Sequence, residues 1–308
     1  MSAPLRIGTR RSALAVAQSE WVAARLRTRW NVEVELVPIV TGGDRLQTQP
    51  NAPVPGRGLF VRELEEALRG GAVDLCVHSA KDVPPEPAED LVLAAYPPRA
   101  DPRDALVGRA LAELPPGAVV GTGSPRRATQ LHALRPDLRI QPLAGNVDSR
   151  LARVAAGDFD AAVLARAGLL RLGRGSEVRQ VLEPEEMVPA AGQGALVLEV
   201  RRADAAAATA AACLNDATTA FCVGVERAVQ AALDGGCTVP CGVLCRPVRG
   251  GRGWEALAAL AGAGGAVLRV AAAVPGPPAP GTAERLAAAV LHALGAARAP
   301  QGAGGGER

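Results

Sequence analysis

Three stretches carry residue types that could do chemistry. The first is His78-Ser79-Ala80-Lys81-Asp82-Val83-Pro84. Ser79 and Lys81 can bind an anion, and Asp82 can serve as acid, base or stabiliser of a cation. Lys81 is the only lysine among 34 basic residues. A compact ammonium in an arginine background suits a site that a guanidinium fork would not, with chance survival as the rival explanation. The rival reading of the whole stretch is a loop whose Asp82 caps the next turn, and His78 reads as structural. The second is a pair of matching segments, Ile7-Gly8-Thr9-Arg10-Arg11-Ser12 and Val120-Gly121-Thr122-Gly123-Ser124-Pro125-Arg126-Arg127. Ser124 is a good N-cap and Pro125 a good first helical residue. Arginines in a first turn oppose the helix dipole by about 0.3–1 kcal/mol each. An anionic ligand reverses that penalty, because backbone N–H groups and guanidinium forks converge on it. One such instance would be ordinary surface arginine; two at matching junctions favour a site. The third is Leu233-Asp234-Gly235-Gly236-Cys237-Thr238-Val239-Pro240, where two glycines precede a thiol on a flexible loop.

Other patterns exclude more than they suggest. Cys237, Cys241 and Cys245 are spaced by four and lack the distant second pair usual for zinc, so no metal is expected and Cys241 and Cys245 read as buried thiols. Thr41-Gly42-Gly43-Asp44 lacks the Gly-Lys-Ser/Thr of a phosphate loop. The formal charge of +3 and the scarcity of aromatics argue against nucleic acid as a partner. No apolar run approaches the roughly 20 residues that span a bilayer. The start, Met1-Ser2-Ala3-Pro4-Leu5-Arg6, carries no charged-then-apolar leader, which reads as a cytoplasmic protein with reduced cysteines.

Elements must place these groups together. Strand-like segments at 5–9, 32–40 and 73–78 alternate with helical periodicity at 12–30 and 60–69, a β-α-β-α-β order that predicts a parallel, doubly wound sheet. The pattern recurs with strands at 118–122, 138–143 and 161–164 and helices at 125–134 and 149–156. Two similar lobes follow, with connectors near Tyr96-Pro97-Pro98 and Gly192-Gln193-Gly194 as the hinge, and Leu196–Val200 returning the chain to the first lobe. A third unit starts near Ala217, with helices at 219–233 and 283–294, strands at 254–260 and 266–274, and Val243-Leu244 strand-like. The expected division is 1–97 with 195–214, 98–194, 215–295, and a tail at 296–308 without structure. Ligands of open α/β sheets bind at the carboxyl ends of the strands, where both arginine segments and Lys81 fall. Two facing lobes would make an arginine-lined cleft for a ligand bearing several carboxylates or phosphates.

Taken in order, these motifs resemble the hydroxymethylbilane synthase (porphobilinogen deaminase) family along nearly the whole chain. The matching stretches are Arg6–Ser12, Gly58–Glu65, His78–Pro84, Gly121–Arg127, Gly145–Leu151, Pro189–Ala195, and Glu226-Arg227 followed by Gly235–Pro240. The resemblance implies an α/β fold: two doubly wound lobes like those of periplasmic binding proteins, plus a smaller C-terminal α/β domain. It implies a monomeric transferase that joins four porphobilinogen units, each losing ammonia, into linear hydroxymethylbilane. It also implies a dipyrromethane cofactor attached through a thioether at Cys237 and held by Ser79, Lys81, Asp82, Ser124, Arg126, Arg127 and Arg150. Substrate would meet Arg10, Ser12, Gln18, Phe60, Arg150 and Arg171. Asp82 would be the catalytic group, protonating the departing amine and stabilising positive pyrrole nitrogens. The chain departs from the family at Ala144, where arginine is common, and at Cys241, where an aliphatic residue is usual. Arg166 is a candidate to replace the missing charge, with solvent exposure as its alternative. A non-enzymatic solute-binding protein would explain the lobes and the anion cleft, but not Cys237 on its glycine loop. An inactive synthase is a second rival, motivated by Ala144.

Overall fold

The computed structural model describes residues 3–43, 60–84, 87–234, 240–248, 250–262 and 265–298. The chain opens with β1 (Leu5–Arg10), α1 (Ala13–Trp30), β2 (Val34–Ile39), α2 (Arg62–Arg69) and β3 (Leu75–Ser79). Ser12 caps α1, its Oγ accepting from the Ala15 amide at 3.3 Å, and Asn31 ends the helix with φ 51°. β1 pairs in parallel with both β2 and β3, as the alternating pattern predicts.

The lobe has the expected doubly wound α/β form, but its sheet is mixed and not purely parallel. β4 (Leu91–Ala95) lies at one edge, and β10 (Leu196–Arg201) runs antiparallel between it and β3, giving the order β2-β1-β3-β10-β4. β10 arrives from the second sheet through the turns of residues 183–195.

The second sheet repeats the arrangement. It comprises β5 (Asp104–Gly108), β6 (Val119–Gly121), α3 (Pro125–Leu134), β7 (Arg139–Gln141), α4 (Val147–Ala155), β8 (Ala161–Ala165), α5 (Arg166–Arg171) and β9 (Val178–Leu182). The strand order is β7-β6-β8-β5-β9, with β6 parallel to its neighbours and β5 antiparallel to β8 and β9. The fourth place, held in the first sheet by the late strand β10, is here held by the early strand β5. The chain therefore crosses between the sheets twice, after β4 and before β10. At the crossings the Ala100 amide donates to the Gly194 carbonyl at 3.2 Å. Gly194 has φ +84°, and a Cβ there would stand 2.6 Å from the Ala100 oxygen, so the approach requires glycine.

After α6 (Ala205–Ala212), the third unit is built from α7 (Ala217–Asp234), β11 (Cys241–Pro247), β12 (Gly253–Ala261), β13 (Val267–Pro275) and α8 (Thr282–Arg298). The three strands form one antiparallel sheet. Val225 and Val229 of α7 and Leu286 and Val290 of α8 bury against Val243, Ala256 and Ala258. Cys241, Val243 and Cys245 share one face of β11 toward this core, so the four-residue cysteine spacing is the strand's period of two. Helix α8 continues to Arg298, past the expected start of an unstructured tail at 296. The remainder of that tail lies outside the described residues.

Candidate functional site

The carboxyl ends of the parallel strands face one cavity of about 230 Å³ between the two larger sheets. From the first sheet, β1 delivers Arg10, and α1 adds its cap Ser12 and, six residues further on, Gln18. The Arg10 guanidinium lies 3.8 Å from the centroid of the Phe60 ring. Gln18 Nε2 donates to Ser79 Oγ at 3.1 Å, joining α1 to the end of β3. The turn of 3-10 helix Ala80–Asp82 then presents Lys81 and Asp82 to the cavity. From the second sheet come Arg127 on α3, Arg150 on α4 and Arg171 at the end of α5.

Charge decides what can bind here. Five cationic side chains line the cavity against two carboxylates, Asp82 and Asp148. Asp148 is paired with Arg174 at 3.3 Å. Arg150 and Arg171 form no ion pair among the described residues; Arg150 Nε donates to the Gly145 carbonyl at 2.8 Å and Arg171 Nη2 to the Gly194 carbonyl at 2.7 Å. Burial pushes both guanidinium groups down to about 10, with the Arg127 charge adding to the effect on Arg150. Both therefore stay charged at neutral pH while poorly hydrated. Burial likewise lowers Lys81 to about 8; Asp82 and Asp104 oppose the shift, while Arg127 and Arg126 favour it. Desolvated cations without counter-ions favour an anion that enters and pairs with them.

The sequence matches the model of porphobilinogen deaminase, dipyromethane cofactor binding domain, over residues 5–209. It is 51% identical over 247 residues to a porphobilinogen deaminase of Acidothermus cellulolyticus, covering 78% of this chain and 74% of that one. It is 49% identical over 273 residues to a porphobilinogen deaminase of Sorangium cellulosum, covering 87% and 90%. The chain belongs to the porphobilinogen deaminase family. Among solved structures it is similar to an ABC transporter periplasmic substrate-binding protein from Coxiella burnetii, at 16% identity and TM-score 0.43 over 75% of this chain and 98% of that one.

Of the side chains that membership in the porphobilinogen deaminase family points to, Arg10, Ser12, Gln18, Phe60, Ser79, Lys81, Asp82, Arg127, Arg150 and Arg171 line the one cavity. Ser124 and Arg126 stand back from it. The Ser124 oxygen caps α3, accepting from the Arg127 amide at 3.4 Å. Arg126 is buried, with Nη1 2.7 Å from the Val188 carbonyl and 2.8 Å from Asp104 Oδ2. Cys237 lies outside the described residues; β11 begins four positions after it. Arg166 does not take up the charge missing at Ala144. Its guanidinium pairs with Asp101, away from the cavity, and Ala144 is exposed three residues beyond the end of β7. His78 is bonded to Glu199 of β10 at 2.9 Å, both side chains buried.

Several residues that organise the site have no sequence assignment. Asp104, fully buried at the start of β5, takes Arg127 Nη2 at 2.8 Å, Arg126 Nη1 at 2.8 Å and Gln193 Nε2 at 2.9 Å. Burial would raise its carboxyl; the two arginines overturn that and hold it at about 2. Glu226 of α7 accepts from Arg99 at 2.6 Å and 3.0 Å and from the Gly192 and Cys245 amides at 2.6 Å and 2.8 Å. Arg227 donates to the Val83 and Pro84 carbonyls at 3.3 Å and 2.6 Å, bracing the end of the Lys81–Asp82 turn. The signal for the last two was the Glu226-Arg227 motif; Asp104 had none.

Proposed function

We propose that this chain joins four porphobilinogen units, each with loss of ammonia, into linear hydroxymethylbilane on a dipyrromethane primer bound through Cys237. The observation that carries this reading is the excess of desolvated cations around a cavity that Asp82 also lines. Each pyrrole unit bears an acetate and a propionate, so the growing chain is polyanionic. The dipyrromethane group, when bound, supplies the terminus to which each new unit is joined. Its carboxylates fit Lys81, Arg127 and Arg150, and incoming porphobilinogen fits Arg10 with Phe60, Ser12, Gln18 and Arg171. Ser124 and Arg126 belong to the cofactor set of the family; here they support α3 and the Asp104 pair from behind.

Asp82 is the group placed to act on the reacting unit. Its carboxyl gives a proton to the departing amine, and the carboxylate then balances the positive charge left on the pyrrole. The cation-lined wall holds the carboxylates in place while this happens, which turns a collision into an oriented encounter. The division into units 1–97 with 195–214, 98–194 and 215–295 belongs to the same proposal, supported by the three separate sheets. So do a cytoplasmic location and a monomeric state. Among the described residues no helix is long and apolar enough to cross a membrane.

The experiment is Asp82→Asn. An amide neither protonates an amine nor balances a cation, and positioned acid–base groups contribute about 10²–10⁴-fold. The variant should fold and keep the reactive cysteine, with porphobilinogen consumption lowered by about that factor. Turnover near the wild-type value would reduce Asp82 to a cap of its turn.

A further inference from the structure

Two of the cleft arginines are bonded to the chain crossover that separates the sheets. Arg171 Nη2 donates to the Gly194 carbonyl at 2.7 Å. Arg127 Nη2 lies 2.8 Å from Asp104 Oδ1 and 3.5 Å from Gln193 Oε1. Gln193, 1% exposed, donates through Nε2 to Asp104 Oδ1 at 2.9 Å and to the Pro102 carbonyl at 2.7 Å. Its own carbonyl accepts from Arg99 Nε at 2.9 Å. One side chain therefore touches the other crossover and the carboxylate that fixes a ligand-facing arginine. The same segment also meets the reactive turn. The Ala80 amide donates to the Ala195 carbonyl at 3.0 Å, and a Cβ on Gly192, at φ +73°, would stand 3.0 Å from the Ala80 carbonyl carbon and the Lys81 nitrogen.

We propose that Gln193 is a positioning residue for the joining reaction: it couples carboxylate capture by Arg127 and Arg171 to the placement of crossover 192–195, and through it to the Lys81–Asp82 turn. The inference rests on the functional reading above. A carboxylate arriving in the cleft competes for guanidinium N–H groups that now serve Gln193 Oε1 and the Gly194 carbonyl. A buried acceptor that loses its donor must find another. The crossover therefore has different bonds in the free and loaded states, which is what a ligand needs in order to shift it. The amide of Gln193 donates on one side and accepts on the other; leucine does neither, and glutamate would set a second carboxylate against Asp104.

The test compares wild type, Gln193→Leu, Gln193→Glu and the exchange variant Asp104→Asn with Gln193→Glu, all as primer-carrying holoenzyme. Two readouts are taken: kcat and KM for porphobilinogen, and amide hydrogen exchange across residues 190–196 with and without saturating porphobilinogen. In wild type the substrate should change exchange in this segment. In Gln193→Leu that response should vanish, and kcat should fall by up to about 10²-fold with a smaller change in KM, as for a misplaced reacting group. The exchange variant keeps one amide and one carboxylate in swapped positions and should recover part of the kcat lost in Gln193→Glu. If leucine proves incompatible with folding, the last comparison still decides. A substrate response and kcat preserved in Gln193→Leu, or an exchange variant no better than Gln193→Glu, overturns the proposal. Wild-type protein that makes no hydroxymethylbilane would instead overturn the functional reading, and is seen without any variant.

Discussion

At the scale of single residues, Lys81 is the most readable member of the site. Its isolation among arginines marked it in the sequence, and the structure gives it a poorly hydrated place beside Asp82 and Arg127. Burial lowers its ammonium to about 8, so its charge is shed as pH rises through that value, well before an exposed lysine would titrate. Carboxylate binding should weaken over the same range, because only the ammonium pairs with an anion. A bound carboxylate should move the midpoint upward. Because the chain has no other lysine, protein labelled with 13C-lysine gives one side-chain signal for direct titration. A midpoint near 8 in primer-free Cys237→Ala protein, rising when carboxylate ligands are added, is expected. A midpoint near the ordinary lysine value, unmoved by ligand, would contradict this electrostatic description. Asp104 was the opposite case. It stands in Asp101-Pro102-Arg103-Asp104, a charged stretch in which the sequence predicts no element. Its burial comes from pairing of β5 with β8 and β9, partners some sixty and eighty residues away, and local sequence carries no trace of that.

At the scale of elements, the helices with contrast between faces were legible and those without it were not. Pro125–Leu134 has its cap, its N1 proline and its period in plain view, and the helix has those bounds. Ala205–Ala212, seven alanines and a threonine, offers no period to read; its Asp204 cap, accepting from the Ala207 amide at 3.0 Å, is the available cue. Strands β4, β5 and β9 were missed because short apolar runs between loops look alike whether or not they join a sheet. That gap matters for α3. The sequence alone presents its arginines as ligand-facing cations that slightly oppose the helix dipole. With β5 in place, both are buried on Asp104, and Arg126 also ties α3 to Val188. Val188 packs with Leu244 and Ala259 of the third unit, so Arg126 links α3 to β11 and β12. Arg126→Ala should therefore destabilise the fold by about 3–5 kcal/mol, the usual loss when one partner of a buried pair is removed. Thermal melting of primer-free protein measures it; an unchanged midpoint would show that Arg127 and Gln193 suffice for Asp104.

At the scale of the whole molecule, the repeated junction in the sequence has become a repeated sheet, and the cleft lies where both sets of parallel strands end. The third unit reaches that cleft from behind: Glu226 holds the Gly192 crossover and Arg227 holds the end of the Lys81–Asp82 turn. Local pattern gave the lobes and put Arg10, Lys81 and Arg127 at the strand ends that line the cavity, whereas Arg150 and Arg171 came from the family resemblance alone. It did not give the antiparallel direction of β10, the strands β4, β5 and β9, the buried Asp104 or the bonds that join three sheets around one cavity, all of which depend on distant partners. The central claim is that this cavity serves a polyanionic primer covalently held by Cys237, and intact-mass spectrometry of the purified protein tests it most directly. The account predicts an excess equal to two linked pyrrole units, absent from Cys237→Ala; a wild-type protein of unmodified mass that still makes hydroxymethylbilane would contradict it.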